Sequence, residues 1–413
     1  LRLGKNASEL AFFSRLIRTL TASKILRLGK NASELAFSLG LFVSLHIANP
    51  YDAAADKARP GRRENECLKT TRMNKRVLIT GGAGYIGSHT AVELLGAGYD
   101  VVIADNLSNS DRSSIEGIRS ITGRDVDFVE VDCCDREAFA RVFERYEFDS
   151  AIHFAASKAV GESVSEPLKY YRNNLLSLIN LVDLMREYGR RNIVFSSSAT
   201  VYGEAEQLPV TELTPRKSAT SPYGNTKQIC EDILRDSVAA YGTLNGISLR
   251  YFNPMGAHPS ALIGELPRGV PNNLVPFITQ TAAGVRECLS IFGDDYPTPD
   301  GSCIRDYIDI VDLARAHVAA IERMTGGRSK SSYEIFNIGT GRGVSVKELV
   351  EAFERVNGVK VNRKTAPKRA GDIAAIWADT TLAGEELGWK AERSIEQTLD
   401  AAWRWEKRIR GLK

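Results

Sequence analysis

Short apolar runs alternate with longer segments of helical length along the chain from residue 76 onward. The apolar runs are predicted strands, at residues 76–80, 100–105, 127–131, 149–154, 192–197 and 246–251. Predicted helices include residues 86–95, 167–188, 222–241, 312–324 and 345–356. Near-continuous apolar strands that alternate with helices are typical of a parallel sheet covered on both faces. We therefore predict an α/β fold with a doubly wound parallel sheet, a Rossmann-type arrangement that binds ligands at the carboxyl ends of its strands.

The alternation loosens after residue 251 into loops rich in proline and glycine, with scattered helices. Ser345 and Glu348 have the spacing of a capping box, which predicts that a helix begins there. We predict a larger domain at residues 73–253 and a smaller α/β domain at residues 254–413 that closes over the ends of the sheet.

Residues 1–72 differ from the rest of the chain. Residues 1–12 recur letter for letter at residues 26–37, and the first methionine is Met73. Two copies are fewer than stacked repeats need. We predict that the functional protein starts near Met73 and that residues 1–72 are not part of the fold. The alternative is a targeting segment, because arginine, lysine and serine are common in it and acidic residues are few.

Composition places the chain among ordinary globular proteins, with 43% hydrophobic and 25% charged residues in 413. The net charge of +3 is unevenly distributed, because residues 1–72 carry +7 and the remainder carries −4. A net charge of −4 does not favour a nucleic-acid partner. The six cysteines show no C-x-x-C spacing and the five histidines no metal-binding pattern, so we predict reduced thiols in a cytoplasmic protein and no metal. No stretch favours membrane insertion.

A glycine-rich loop follows the first predicted strand and opens the first predicted helix. Gly81, Gly84 and Gly87 give the pattern G-x-x-G-x-x-G, and Gly82 completes G-x-G-x-x-G. Glycines let the backbone approach a pyrophosphate at the helix N-terminus. Asp105 ends the second predicted strand, where its carboxylate would accept hydrogen bonds from an adenosine ribose and repel a 2′-phosphate. The pattern predicts NAD rather than NADP, and the alternative is a tight structural turn followed by a chance acid.

Ser198, Tyr223 and Lys227 form the second chemical pattern. Tyr223 and Lys227 are four residues apart on a predicted helix, so both side chains lie on one face. An ammonium near a phenol favours the phenolate, so we expect Lys227 to lower the pKa of Tyr223 and allow it to act as a general acid or base on a hydroxyl or carbonyl. Ser198 follows a predicted strand at the carboxyl end of the sheet, where it would bind the same oxygen. A Y-x-x-x-K pair alone is more often a surface pair, and its combination with the glycine loop and the serine favours catalysis.

The order of longer motifs resembles the UDP-glucose 4-epimerase family, which belongs to the extended short-chain dehydrogenases/reductases. The matching segments are TGGAGYIGSHT, DNLSNS, HFAASKAVGESV, FSSSATVYG, SPYGNTK, RYFNPMGAHPS, PNNLVPFI, IFGDDYPTPDGSCIRDYI and RAGDIAAIWAD. They cover essentially all of residues 73–413 and none of residues 1–72. The resemblance implies an NAD-binding domain at residues 73–253 and a UDP-sugar-binding domain at residues 254–413.

The resemblance also implies a tightly held NAD that is regenerated in each cycle. Together with the glycine loop, it predicts the cofactor contacts Gly81, Gly84, Tyr85, Ile86, Gly87, Asp105, Asn106, Leu107, Ser108, Asn109, Ser110, Asp132, Cys133, Phe154, Ala155, Ala156, Lys158, Asn173, Ser198, Tyr223, Lys227 and Phe252.

By the same resemblance, Tyr223 takes the proton of the sugar 4-hydroxyl while hydride passes from C4 to the nicotinamide, Lys227 binds the nicotinamide ribose, and Ser198 orients the 4-oxygen. The 4-keto sugar then turns over and is reduced from its other face. The predicted substrate contacts are Lys158, Ser198, Tyr223, Asn253, Asn273, Leu274, Arg305, Arg369, Asp372 and Ile376. Paired arginines suit a diphosphate, because guanidinium forms bidentate, charge-assisted hydrogen bonds.

Two positions depart from the family pattern. Ala370 stands where the family often has glutamate. Ile376 lies where a bulky aromatic residue goes with plain hexoses and a small residue admits N-acetylhexosamines. We therefore expect activity on UDP-glucose and UDP-galactose and weak activity on the N-acetyl sugars.

Three alternatives remain at this point. The first is a UDP-N-acetylglucosamine 4-epimerase or another UDP-sugar 4-epimerase. The second is a sugar-nucleotide dehydratase, which usually has an acidic pair where Ser198-Ala199-Thr200 stands here. The third is a non-catalytic NAD-binding regulator, which would have lost Tyr223 or Lys227. The resemblance further implies a homodimer formed through the predicted helices at residues 167–188 and 222–241.

Overall fold

The structure is a computed structural model that describes residues 75–369 and 372–413. The predictions for residues 1–72, and the departure at Ala370, lie outside the described residues.

A seven-stranded sheet forms the centre of the described chain. Its strands are β1 (Arg76–Thr80), β2 (Asp100–Asp105), β3 (Asp127–Glu130), β4 (Ser150–His153), β5 (Asn192–Ser198), β6 (Asn245–Tyr251) and β11 (Tyr333–Ile338). The strand order is β11-β6-β5-β4-β1-β2-β3, and every pair is parallel. The order runs outward in both directions from β1 and β4, so the sheet is doubly wound and the predicted fold class is confirmed.

Helices cover both faces of this sheet. One face carries α1 (Tyr85–Gly96), α2 (Ser113–Thr122) and α8 (Ile310–Thr325); the other carries α3 (Arg136–Arg145), α5 (Pro167–Glu187) and α6 (Pro222–Tyr241), with the short α4 (Val160–Ser165) before α5. The buried aliphatic side chains of β1 alternate between the two layers, since Ile79 packs with the first group and Leu78 with the second. This alternation is what a strand buried on both faces requires.

The predicted elements match the structure closely. Each of the six predicted strands begins and ends within one residue of the corresponding observed strand. Each of the five predicted helices begins and ends within two residues of the corresponding observed helix. The predicted capping box is also present, since Ser345 Oγ accepts a hydrogen bond from Glu348 N at 3.0 Å and Glu348 Oε2 accepts one from Ser345 N at 2.7 Å.

The remaining elements form smaller sheets with helices packed beside them. The strands are β7 (Asn253–Met255), β8 (Leu289–Phe292), β9 (Ile304–Arg305), β10 (Tyr307–Asp309), β12 (Val344–Ser345), β13 (Arg363–Ala366) and β14 (Ala375–Ile376), and the helices are α7 (Leu274–Ala282), α9 (Val346–Asn357) and α10 (Ile395–Arg410). They pair as β10-β7, β12-β9-β14 and β13-β8. Side chains from α7, α9 and α10 share one apolar core.

The chain returns to the large sheet after residue 253, because β11 pairs with β6 along its full length. Residues on both sides of the predicted boundary therefore build the seven-stranded sheet, and the division at 253/254 stays a prediction. Within residues 75–369 and 372–413, no helix is both long enough and apolar enough to cross a membrane.

Candidate nucleotide-binding and acid–base site

The glycine loop makes a close turn between β1 and α1. Gly81 has φ +70°, and a Cβ there would lie 2.7 Å from Ala155 N. A Cβ on Gly87 would lie 2.5 Å from Gly81 O and 2.7 Å from Gly82 Cα. Gly84 is the N-cap residue of α1 and supplies no side-chain cap. The loop is therefore compact only with glycine, and the helix N-terminus is left without a side chain that would occupy an anion's place.

Asp105 closes the loop from the end of β2. Its Oδ2 accepts a hydrogen bond from Ala83 N at 3.0 Å, and its Oδ1 accepts hydrogen bonds from Leu107 N at 2.9 Å and Ser110 Oγ at 2.7 Å. Asp105 is buried, and Leu107 adopts φ +56° beside it. The carboxylate thus stands at the mouth of the glycine loop, where the sequence predicts a ribose contact.

The segment after Asp105 is held from the C-terminal part of the chain. Arg268 donates hydrogen bonds to Ser108 O at 3.2 Å and to Ser110 O at 2.6 Å. Asn106, Ser108 and Asn109 are exposed beside this contact. A long-range arginine therefore shapes the predicted cofactor loop.

Residues 154–156, which follow β4, pack against the glycine turn. Phe154 N donates to Thr80 O at 2.9 Å, so this segment continues alongside β1. A Cβ on Gly81 would clash with the backbone of Phe154 and Ala155. Ala156 follows and is partly buried.

The loop after β3 is attached to α5. Cys133 is buried, and its carbonyl accepts a hydrogen bond from Asn180 Nδ2 at 2.9 Å. Asp132 Oδ1 accepts one from Cys134 N at 2.8 Å. Cys134 Sγ lies 3.5 Å from Asn173 O, which brings the predicted contacts Asp132, Cys133 and Asn173 together.

Ser198, Tyr223 and Lys227 meet where β5 ends and α6 begins. Ser198 is the last residue of β5, and its Oγ accepts a hydrogen bond from Thr200 N at 3.2 Å. Tyr223 lies in the first turn of α6, which begins at the N-cap Ser221. Lys227 is buried and donates to Ser196 O at 2.6 Å, with its Nζ 5.8 Å from the centroid of the Tyr223 ring.

The sequence predicts a lowered pKa for Tyr223, and this prediction is wrong for the protein without a bound cofactor. Burial raises the pKa of Tyr223 to about 12, and a hydrogen bond with Ser198 only partly opposes this. Burial also lowers the pKa of Lys227 to about 8, which the nearby Cys230 and Glu231 oppose. Removal from water disfavours both the phenolate and the ammonium, so burial sets the direction of both pKa shifts.

A second group of predicted contacts gathers around Glu265. Its Oε1 accepts hydrogen bonds from Lys158 Nζ at 3.1 Å and from Asn273 Nδ2 at 2.7 Å. Lys158 Nζ also lies 5.9 Å from the ring centroid of Tyr85, whose hydroxyl donates to Gly256 O at 2.7 Å. Glu265 therefore joins two predicted substrate contacts, one of which lies over the ring of Tyr85, the first residue of α1. The sequence analysis missed it, because a single acid in a loop rich in glycine and proline carries no signal of its own.

Leu274 and Asn253 occupy different positions relative to this group. Leu274 is the first residue of α7, and its side chain packs against the core shared by α7, α9 and α10, so that it contributes to packing. Asn253 begins β7, is exposed, and donates through its backbone N to Asp306 O at 2.9 Å.

Arg305 at the end of β9 lies near Asp372, which precedes β14. Arg305 Nη2 lies 3.8 Å from Asp372 Oδ1. Arg369 is exposed, with its guanidinium carbon 3.8 Å from the centroid of the Phe292 ring. Its carbonyl accepts a hydrogen bond from Asp372 N at 3.3 Å. Arg305, Arg369 and Asp372 therefore lie close together, and their contact with the nucleotide diphosphate stays a prediction.

Ile376 connects this charged group to the acid–base residues. Ile376 of β14 is the strand-register partner of Arg305 in the parallel neighbour β9, and its side chain is buried. Its side chain belongs to a small apolar cluster with Phe252 and with Ala199, the residue after Ser198. The position that we predict to sense the sugar therefore lies beside both the charged group and the end of β5.

The comparisons with known proteins agree on one family. The family model described as GDP-mannose 4,6 dehydratase matches residues 78–402. UDP-glucose 4-epimerase from Bacillus subtilis is 52% identical over 330 residues, which cover 80% of this chain and 96% of the relative. The human enzyme of the same name is 48% identical over 341 residues, covering 81% of this chain and 97% of the relative. UDP-glucose 4-epimerase from Bifidobacterium longum, solved in complex with NAD+ and UDP, is 45% identical with a TM-score of 0.78, covering 81% of this chain and 98% of that chain.

A doubly wound sheet with a glycine loop and a Ser–Tyr–Lys arrangement defines an extended short-chain dehydrogenase/reductase. Within that class, the chain belongs to the UDP-glucose 4-epimerase family.

Proposed function

We propose that this protein is an NAD-dependent UDP-glucose 4-epimerase that interconverts UDP-galactose and UDP-glucose. The observation that carries the proposal is the placement of Ser198, Tyr223 and Lys227 at the carboxyl end of β5, in a chain 52% identical to a named epimerase. This placement puts an acid–base residue at the same carboxyl edge of the parallel sheet as the glycine loop, which suits an oxidation and re-reduction at one carbon of a bound sugar.

The residues present fit NAD. Gly81 and Gly87 leave no room for a Cβ, so the backbone of the turn is bare, and the N-terminus of α1 carries no acidic residue in its first turn. Both features suit a pyrophosphate. The buried Asp105 supplies the acceptor for a ribose hydroxyl. Bound there, NAD supplies the acceptor and donor of the hydride that leaves and returns to C4 of the sugar.

The side chains at the end of β5 handle the proton. Tyr223 removes the proton of the sugar 4-hydroxyl and returns it after the 4-keto sugar has turned over. Ser198 holds the 4-oxygen beside the phenol. Lys227 keeps a positive charge 5.8 Å from the Tyr223 ring, which favours the phenolate against the effect of burial. We propose that Arg305, Arg369 and Asp372, with Asn253, Asn273 and Lys158, hold the nucleotide diphosphate while the hexose stays free to turn.

The test of the proposed function is the conversion of UDP-galactose by the purified protein. We expect UDP-glucose to form without added reductant, measured by nuclear magnetic resonance of the anomeric proton. A product that has lost water would instead support a dehydratase, although Ser198-Ala199-Thr200 offers no carboxylate for that chemistry. Retention of NAD without any conversion of UDP-sugars would support the non-catalytic regulator.

Ile376 supports a preference for plain hexoses. Its buried, branched side chain lies against Phe252 and Ala199, so it narrows the space beside the end of β5. We propose that N-acetylated UDP-sugars are turned over more slowly than UDP-galactose. Comparable turnover of UDP-N-acetylglucosamine would favour the alternative epimerase.

We further propose a homodimer and a cytoplasmic location. Leu168, Leu176 and Ile179 of α5 are exposed, at 64%, 42% and 41%, and their spacing places them on one side of the helix. A second copy of this chain is the occupant that the family resemblance implies for this face. The cytoplasmic location is supported by cysteines at 133, 134, 230, 288 and 303, all of which are free thiols.

A further inference from the structure

We propose that Glu231, paired with Arg250, is a positioning residue for Ser198 and Lys227. The inference rests on the proposed function, because it concerns how the same acid–base site is held. Both charged side chains are removed from solvent, since Glu231 is 1% exposed and Arg250 is 3% exposed.

The geometry of the pair is bidentate. Arg250 Nε donates to Glu231 Oε1 at 2.8 Å, and Arg250 Nη2 donates to Glu231 Oε2 at 2.7 Å. Arg250 Nη1 donates in addition to Tyr202 OH at 3.1 Å. Tyr202 OH donates in turn to Asn337 Oδ1 at 2.6 Å. The pair therefore ties α6 and β6 to the segment after Ser198 and to β11.

Glu231 also reaches the strand that carries the catalytic serine. Three serines in succession end β5, and each contacts a different partner. The carbonyl of Ser196 accepts the hydrogen bond from Lys227, and Ser197 Oγ donates to Glu231 Oε1 at 2.5 Å. Because Ser198 follows directly, the Glu231 carboxylate holds the backbone from which the Ser198 hydroxyl projects.

Charge gives Glu231 a second effect on the site. The groups that face Lys227 are His153 from β4 and Tyr223, Cys230 and Glu231 from its own helix. Glu231 in turn pairs with Arg250 from β6 and lies 3.6 Å from Arg216, which precedes α6. Burial lowers the pKa of His153 to about 3 and raises the pKa of Cys230 to about 12, so both are neutral near pH 7. Glu231 is then the anion that keeps the Lys227 ammonium charged in its buried position.

Neutralising Glu231 therefore has a defined direction. In Glu231→Gln the pKa of Lys227 falls below its value of about 8, because one of the groups that oppose the effect of desolvation has been removed. Lys227 then loses its proton at lower pH, and the alkaline limb of the kcat profile moves to lower pH by roughly one unit.

The experiment measures kcat against pH for the holoenzyme with UDP-galactose. Glu231→Gln leaves the Arg250 guanidinium unpaired, so Glu231→Gln/Arg250→Met is prepared alongside and removes both buried charges. Glu231→Asp keeps the negative charge and is expected to retain the wild-type alkaline limb even where its melting temperature falls. Asp236→Asn removes an acid from an exposed position on the same helix, where Asp236 pairs with Arg235, and leaves the limb unchanged.

A shifted limb in the neutral variants but not in Glu231→Asp or Asp236→Asn supports the inference. A wild-type limb in both neutral variants overturns it and leaves Glu231 with a purely structural role. Failure of the wild-type protein to convert UDP-galactose contradicts the proposed function instead, so the two failures are distinguishable.

Discussion

At Tyr223, burial and charge act in opposite directions. Burial raises the pKa of Tyr223 to about 12, whereas Lys227 keeps a cation 5.8 Å from its ring. The tyrosine can serve as a base only while positive charge next to it favours the phenolate. The position of Tyr223 and Lys227 on one helix face was predictable from the sequence. The degree of burial was not, because it arises only when other parts of the chain, such as Ser198 at the end of β5, pack around α6.

Tyr223→Phe removes the acid–base group and keeps the ring. We expect kcat to fall at least about a hundredfold, because general acid–base catalysis contributes on that order or more. The bound NAD should remain, since the backbone of the glycine loop is unchanged. Tyr241→Phe, at the exposed C-terminal end of the same helix, is the matched control and should keep wild-type kcat. Robust conversion by Tyr223→Phe would remove this residue from the mechanism.

Ile376→Ala tests whether this side chain limits the sugar. Shortening it opens space beside Phe252, so we expect kcat/KM for UDP-N-acetylglucosamine relative to UDP-galactose to rise by about tenfold, the order that one pocket side chain supplies. Competition assays with both substrates measure this ratio. Ile395→Ala, at the start of α10, is the control and should leave the ratio unchanged. An unchanged ratio in Ile376→Ala would show that isoleucine does not set the preference.

At the scale of elements, the strands of the large sheet were predictable where they are continuous apolar runs. The strand β11 was not, because Glu334 and Asn337 interrupt its apolar pattern. The structure satisfies both through distant partners: Glu334 pairs with Arg323 at 2.8 Å, and Asn337 accepts from Tyr202. The Glu265 contacts with Lys158 and Asn273 escaped prediction for the same reason, since long-range polar contacts leave no periodic signal.

The turn between β1 and α1 can be tested with two alanine substitutions in one helix. Gly87→Ala places a Cβ 2.5 Å from Gly81 O and 2.7 Å from Gly82 Cα, so the loop must move and we expect loss of bound NAD with a lower melting temperature. Gly96→Ala meets nothing within 4 Å at the other end of α1 and should be neutral or slightly stabilising. NAD content by absorbance and thermal unfolding distinguish the two. Equal NAD content in both variants would contradict the proposed role of the turn.

At the scale of the whole molecule, residues far apart in the sequence build one site. Arg268 holds Ser108 and Ser110 of the predicted cofactor loop, and Tyr85 bonds Gly256. Local pattern predicts the fold class from the strands and helices, but these contacts join residues more than 150 positions apart and become visible only in the folded chain.

The exposed apolar face of α5 provides the test of assembly. Leu176→Glu places a charge in the face that we propose to be covered by a second copy, so we expect monomers by light scattering at concentrations where the wild-type protein is dimeric. Leu213→Glu, at a loop leucine that is 92% exposed, should remain dimeric. A wild-type monomer, or a dimer in both variants, would contradict the proposed interface.

The most direct test of the central claim follows the hydrogen at C4. UDP-galactose labelled with deuterium at C4 is converted by the wild-type protein in ordinary water, and the product is examined by nuclear magnetic resonance. Because Tyr223 exchanges the hydroxyl proton while the hydride leaves and returns within one site, we predict UDP-glucose that keeps its deuterium at C4. Loss of the label to solvent, or no UDP-glucose at all, would contradict the account.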